Sequence, residues 1–332
     1  TNRDADEIDP YAEEQIVIGR LGPFNVDDED LEELAERNVT AFALELIPRI
    51  SRAQSMDTNS SMASIGGYKA VMMAANELPK FFPMEMTAAG TVQPADVFVL
   101  GAGVAGLKAI STAERLGANS TANDVRPEVR EEVESLGADF VAVGEETEEM
   151  SDDEGYATEQ DKSFEEKQKE MLMDVVPDSD VVITTAAIPG RPAPQPITND
   201  IVAEMEPGSV IVDLAAESGG NCEPTEAGEV VEYEGVTIFG PTNLPSTVPH
   251  TASQLYSNNL KSFLDNLLDE DGEVDIDTED EIIDSTMLTH DGTVRNPHKD
   301  DGGDDGDGDE GDEDNEEEEG DNEQENDGEN DE

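Results

Sequence analysis

In the stretch "DVFVLGAGVAGLKAI", Asp96–Ile110, an apolar run ends on Gly101, Gly103 and Gly106, and a helical pattern follows at once. Strand, glycine-rich turn and helix, in that order, are the context that GxGxxG requires. Gly101 permits the tight turn, Gly103 lets a pyrophosphate approach the backbone, and Gly106 lets helix and strand close-pack. The pyrophosphate then lies on amides near Val104, at a helix N-terminus, where the dipole favours negative charge. A second feature agrees. Asp124 falls 23 residues after Gly101, at the end of the next strand, where a carboxylate can accept from an adenosine ribose diol. It would repel a 2′-phosphate, so the expectation is NAD(H) rather than NADP(H). Arg126 is then expected to stack on adenine or point to solvent.

Outward from this unit, "STANDVRPEVREEVESLGADFVAV" continues as strand, helix and strand, and "VVITTAAIPG", "SVIVDLAA" and "VTIFG" read as further buried strands. Upstream, "QIVIGRLGPFNVDDEDLEELAER" and "VTAFALELIPRI" give strand, helix and a second strand stopped by Pro48. The alternation marks an α/β fold: two Rossmann-like, doubly wound parallel-sheet domains. The expected division is a discontinuous first lobe, 1–50 plus about 248–285, and an NAD-binding domain over 51–247. A disordered acidic tail is expected over 286–332. The helix in "TASQLYSNNLKSFLDNLL" is expected to return to the first lobe, and residues 146–170 read as a mobile excursion. The first residue is Thr1 and the first strand has no evident predecessor, so part of the first lobe is expected to be missing from the N-terminus.

Composition bounds the partners. Asp and Glu number 83 against 18 Lys and Arg, a formal net charge of −65 that excludes general attraction to nucleic acid or anionic membranes. Between Asp300 and Glu332 there are 21 acids and no bases; without them 62 acids still face 18 bases, a net −44 spread over the body. That spread reads as adaptation to high salt. No apolar run reaches membrane-spanning length, so direct membrane insertion is not expected. The single cysteine, Cys222, has no neighbouring histidine and reads as a structural thiol. The methionines of "VMMAAN" and "FFPMEM" read as helix packing and linker, and no metal site is expected.

The polar stretch "RISRAQSMDTNSS", Arg49–Ser61, follows a strand end, where α/β sheets bind ligands. Arg donates, Asp accepts and Gln does both, which suits a nicotinamide carboxamide. A solvated interdomain loop fits equally well on these grounds. Together with "GGYKAV", "FPMEMTAAGTVQPADVFVLGAGVAGLKAI", "DVRPEVREEVESLGA", "VVITTAAIPGRPAP", "PGSVIVDLAAESGGNCE" and "NNLKSFL", the stretch resembles the alpha subunits of proton-translocating NAD(P) transhydrogenases over roughly residues 15–270. The related alanine dehydrogenases resemble it in the Rossmann half, but not in "RAQSMD" or "GGNCE".

The resemblance implies that Arg49, Gln54, Asp57 and Ser60 hold the nicotinamide end of NAD(H). It implies Val104 at the pyrophosphate, and Asp124, Val125 and Arg126 at the adenosine. It further implies Gly155 and Tyr156 on a closing loop, and Gln168 and Ala187 as further contacts, Ala187 standing where similar sequences carry Leu. It implies partners as well: NADP(H)-binding and membrane-embedded subunits, a homodimer, and a cytoplasmic chain held peripherally at the inner face of the membrane. The acidic tail departs from the family pattern. Hydride transfer between two nicotinamides needs no general acid, which suits a chain whose three histidines, His250, His290 and His298, all fall late. A free-standing alanine-type dehydrogenase would need an acid/base group and a substrate carboxylate anchor. A nucleotide sensor would keep the Rossmann site without the polar stretch.

A body carrying −44 repels itself when unscreened, so its melting temperature should rise with potassium chloride into the molar range, and deletion of 300–332 should change this little. A salt-independent melting temperature would defeat the reading.

Overall fold

The computed structural model describes residues 11–143, 157–187, 190–269 and 271–296. In chain order these form β1 (Ile16–Gly19), α1 (Asp28–Glu36), β2 (Thr40–Ala43), a 3-10 segment Ser51–Met56, α2 (Thr58–Glu77), β3 (Glu85–Thr87), β4 (Gly90–Val92) and β5 (Asp96–Leu100). There follow α3 (Val104–Leu116), β6 (Asn119–Asn123), α4 (Arg130–Ser135), β7 (Asp139–Phe140), α5 (Ala157–Val175), β8 (Val181–Thr184), α6 (Asn199–Ala203) and β9 (Val210–Asp213). The described chain closes with β10 (Val230–Tyr233), β11 (Val236–Phe239), α7 (Pro249–Asn266), α8 (Glu281–Thr286), β12 (Met287–His290) and β13 (Thr293–Val294).

The larger sheet has seven strands in the order β10-β11-β9-β8-β5-β6-β7, parallel throughout except for the β10 edge. Alternation along β5 feeds two cores, as a strand period of two requires. Val97 and Val99 pack with Ala70 and Val71 of α2, Ala109 and Ile110 of α3, and Val133 of α4. Phe98 and Leu100 pack with Leu172 of α5 and Ile201 of α6. Both faces are therefore covered, which is why these strands are continuous apolar runs rather than alternating ones. The strand order reverses between β5 and β8, and that is where such sheets take ligands.

The smaller sheet runs β1-β2-β12-β13: a parallel β1–β2 pair extended by antiparallel β12 and β13. Helix α1 starts with Asp28, Glu29 and Asp30 at its positive end and buries Leu31, Leu34 and Ala35 against Val39, Ala41 and Leu288. Helix α7 returns to this lobe. Phe263 is wholly buried and meets Phe42 edge to face at 5.5 Å, and Leu267 joins the same cluster with Leu44, Met56 and Ile283.

Four local expectations are corrected. Met287–His290, assigned to the acidic tail, is a buried strand because Met287, Leu288 and Thr289 fill the space beside β2. The "FFPMEM" linker leads into an exposed hairpin, β3–β4. The later half of the expected excursion is helix α5, whose Met171 and Leu172 are buried under the sheet. Strand β2 stops at Ala43, before Pro48, because Leu44–Leu46 turn into a 3-10 segment.

Phe263→Ala should cost about 3–5 kcal/mol in urea denaturation, the usual range for a buried phenylalanine. An unchanged midpoint would mean that α7 does not brace the first lobe.

Candidate nucleotide site

The glycine turn is built by contacts that only hydrogen side chains allow. Gly101 has φ +93°, in the left-handed region, and its amide donates to the Asn123 carbonyl at 2.8 Å. A Cβ on Gly106 would lie 1.8 Å from the Gly101 carbonyl oxygen, so the first turn of α3 rests directly on the loop. Thr185, just beyond β8, donates its hydroxyl to the same carbonyl at 3.0 Å. At Gly103 a Cβ would meet nothing within 4 Å. No side chain caps the α3 N-terminus and no acidic residue occupies its first turn. An open approach, a glycine at its mouth and an uncapped amide cluster fit a pyrophosphate. Val104 stands at this entrance, partly exposed.

Asp124, just after β6, bonds to the glycine turn. Its Oδ2 accepts from the Ala102 amide at 2.7 Å, and its Oδ1 from the Arg126 amide at 2.9 Å. The Arg126 guanidinium forks across both oxygens, with Nε to Oδ1 at 3.0 Å and an Nη2 donor to Oδ2 at 3.1 Å. The Asp124 carboxylate thus holds the Arg126 guanidinium, whose side chain stays half-exposed. Burial pushes the Asp124 carboxyl up, but the Arg126 side chain, the Arg126 and Ala102 amides and the Arg126 charge outweigh it, and the net shift is downward. The same carboxylate raises Arg126. Val125, between them in the chain, is exposed.

The stretch expected to be a loop is ordered. Ser51–Met56 is 3-10 helix, and Asp57 is the N-cap of α2: its carboxylate accepts the Ser60 amide at 2.9 Å and the Ser60 hydroxyl. Asp57 and Ser60 are thus brought together, each the other's partner. Gln54 is exposed on the 3-10 turn and Arg49 is exposed just after Pro48. The segment is held from outside by Asn259 of α7, which donates to the Ser55 carbonyl at 2.9 Å, and by an Arg52–Asp280 ion pair at 2.6 Å.

Helix α2 carries this segment to the glycine turn. A Cβ on Gly67 would lie 2.0 Å from the Ala105 carbonyl oxygen, a backbone-to-backbone approach at the start of α3. Ser60, Ser64 and Gly67 share one helical face, and Ser64 lines a surface groove of about 440 Å³ with Val104, Leu107 and Lys108. Gly67 is a packing position whose reason sequence reasoning missed: a glycine pair inside a helical pattern signalled it, and the explanation lies on another helix.

The remaining candidates do not converge as closely. Gln168 is half-buried on α5, one turn before the buried Leu172, and Ala187 is exposed beyond the end of β8. Gly155, Tyr156 and His298 lie outside the described residues. His250 is exposed in the first turn of α7, and His290 Nδ1 shares a 3.0 Å hydrogen bond with Thr40 Oγ1 in the first lobe. The Cys222 thiol is pushed up to about 12 by burial and then by the Asp213 charge, which leaves it protonated and unreactive. Among the described residues no group of acidic, histidine or cysteine side chains is arranged to hold a metal, and no helix is long and apolar enough to cross a membrane.

Two family models match the chain: the alanine dehydrogenase/PNT N-terminal domain over residues 2–66, and the alanine dehydrogenase/PNT C-terminal domain over residues 70–297. The first portion of NAD(P) transhydrogenase subunit alpha from Rhodospirillum rubrum is 47% identical over 294 residues, covering 88% of this chain and 76% of its own length. The crystal structure of transhydrogenase from Sinorhizobium meliloti superposes with a TM-score of 0.78 at 45% identity, over 88% of this chain and 79% of that one. Alanine dehydrogenase of Mycolicibacterium smegmatis is 30% identical over 207 residues, 61% of this chain and 50% of its own length.

Because its folded pKa is depressed, the Asp124 carboxylate contributes stability above the unfolded value of about 4 and loses it as pH falls through the folded value. Asp124→Asn should therefore melt below the parent chain at neutral pH, with the two curves converging in acid. A gap of constant size down to the acid limit would show that the charge of Asp124 is not what holds the turn.

Proposed function

The chain belongs to the alanine dehydrogenase/PNT family, alongside the NAD(P) transhydrogenase alpha subunits, and from that premise we propose that it is the NAD(H)-binding component of such an enzyme. The observation that carries this reading is the Gly67–Ala105 contact, which packs α2, the helix that Asp57 caps, on the start of α3 beside the glycine turn. A dinucleotide with its phosphates on α3 and its ribose at Asp124 would have its nicotinamide near that segment and the end of β8.

When bound, NADH supplies a hydride that passes as one unit, with both electrons, to an oxidised nicotinamide held by an NADP(H)-binding partner. No oxygen or nitrogen gains a proton in that step, so the chain needs no acid or base at the nicotinamide. Its own residues bind, orient and shield the ring, and positioning supplies the rate. The ordered state of Ser51–Ser60 supports this role, since a capped and braced segment holds a ring better than a free loop. Gly155, Tyr156, Gln168 and Ala187 belong to the same proposal as further contacts. Coupling to proton movement would lie in a membrane-embedded partner, with this chain on the inner face of the membrane. The alanine-type alternative has less support: the match to transhydrogenase alpha is both longer and more identical, and neither described histidine lies at the cradle.

Asp124 should make NADH bind more tightly than NADPH by titration, and equal affinities would sink that part of the reading. Gln54 gives the cleaner test of the nicotinamide segment, because Asp57 also caps α2 and its loss would cost about 1 kcal/mol on that account alone. Gln54→Ala should leave NADH affinity within about tenfold and cut single-turnover transfer to an NADP-loaded partner by more, since a displacement of about 1 Å costs on the order of a hundredfold in rate. If both quantities are unchanged, the segment does not touch the ring.

A further inference from the structure

Asp213 ends β9 with its side chain wholly buried, and its carboxylate is met by five donors rather than by a cation. Oδ1 accepts from the Thr184 hydroxyl at 2.9 Å and the Ala215 amide at 3.0 Å. Oδ2 accepts from the Asn221 amide at 2.7 Å, the Thr225 hydroxyl at 2.8 Å and the Cys222 amide at 3.1 Å. Such hydrogen bonds are what a buried carboxylate needs when, as here among the described residues, no cation is paired with it. The fit is close: Gly220 has φ +82°, and a Cβ there would stand 2.8 Å from Oδ2.

The arrangement continues outward through Asn221, also wholly buried. Its Oδ1 accepts the Ala186 amide at 3.0 Å, and its Nδ2 donates to the Ala186 carbonyl at 2.7 Å and the Pro194 carbonyl at 2.8 Å. Backbone bonds around β8 run through Leu214 N to Thr184 O and Thr185 N to Leu100 O. Ala186 is the next residue along, and there the Asn221 side chain takes over, gripping both polar groups of one residue as a neighbouring strand would. Thr185, one residue earlier, holds the Gly101 carbonyl. The clamped backbone therefore forms the wall facing the glycine turn across the switch point between β5 and β8.

We propose that Asp213 and Asn221 are positioning residues for the nicotinamide end of the dinucleotide: the buried carboxylate fixes the Asn221 backbone, and the Asn221 amide fixes the Ala186–Ala187 backbone against which the ring lies. This rests on the nucleotide-site reading above. The adenosine and pyrophosphate contacts lie on β6 and α3, outside the clamp. Loosening it should therefore act on the ring far more than on the adenosine and pyrophosphate, whereas a role confined to stability would not distinguish one end of the ligand from the other.

The test titrates NADH and ADP-ribose, which lacks the nicotinamide, into the full chain by calorimetry below its melting temperature. The parent should prefer NADH. Asn221→Ala should narrow that preference by about fivefold or more, and change ADP-ribose affinity by no more than about twofold, from the loss of hydrogen bonds of ordinary strength. Thr184→Val, which removes one donor to Asp213, should shift the preference the same way by less, and Thr184→Ser should restore it. If Asn221→Ala does not fold, the Thr184 pair decides. Equal weakening of both ligands, no change in either, or a parent with no preference overturns the proposal. A parent that binds neither ligand overturns the nucleotide-site reading itself, and this inference with it.

Discussion

Helix α3 begins under steric constraint from two sides. Gly106 brings its own first turn onto the Gly101 carbonyl, and Gly67 brings α2 onto the Ala105 carbonyl, both at separations that a single methyl group would forbid. The first contact shapes the cradle. The second settles where the segment before α2 must lie, because α2 is a continuous helix and Asp57 caps its start. Much of what matters for function hangs on these two approaches: the entrance at Gly103, the reach of Ser60 and Ser64 along one face, and the bracing of Ser51–Met56 by α7. Packing without side chains leaves little room to relax, so it fixes geometry more firmly than apolar contact does.

The elements whose pattern depends on local periodicity were legible in the sequence. Strand β5, the glycine turn, α3 and Asp124 were readable because each residue's role is set by neighbours close in the chain. The parallel character of the larger sheet followed from strand and helix alternation. What was not legible depended on distant partners. Met287–His290 looked like the head of an acidic tail because its apolar run is short, and only β2 makes it a strand. Asp57 and Ser60 read as ligand groups by resemblance, yet they also satisfy each other, an ordinary cap that the spacing from Asp to Ser could have revealed. The fork of Arg126 on Asp124 was not foreseen because it depends on how the chain turns after β6.

The carboxylates at the two ends of the site are handled in different ways. Asp124 is paired with a cation that is itself half-exposed, so under the proposed reading its arrangement would open to a ribose diol competing for its oxygens. Asp213 is surrounded by amides and hydroxyls in a dry interior, where no ligand reaches it and where loss of any one donor leaves a charge less well solvated. One is built to exchange partners and the other to keep them. That difference matches an adenosine end that must recognise its ligand and a nicotinamide end that must hold still.

There remains the question of how a chain this acidic binds a diphosphate at all. Helix N-termini ordinarily welcome acids, and α1 has three in its first turn. Helix α3 has none, and its only acidic residue, Glu114, lies near its far end. The amides at its start are thus left for an anion, and the Asp124 carboxylate beside the turn is paired with the Arg126 cation and bonded by the Ala102 amide. In concentrated salt the screening length shrinks to about 3 Å. Charges scattered over the surface then contribute almost nothing at the cradle, and a handful of backbone amides within contact distance decides whether the phosphates bind. Screening of that kind would confine recognition to groups the ligand touches, whatever the chain's overall charge.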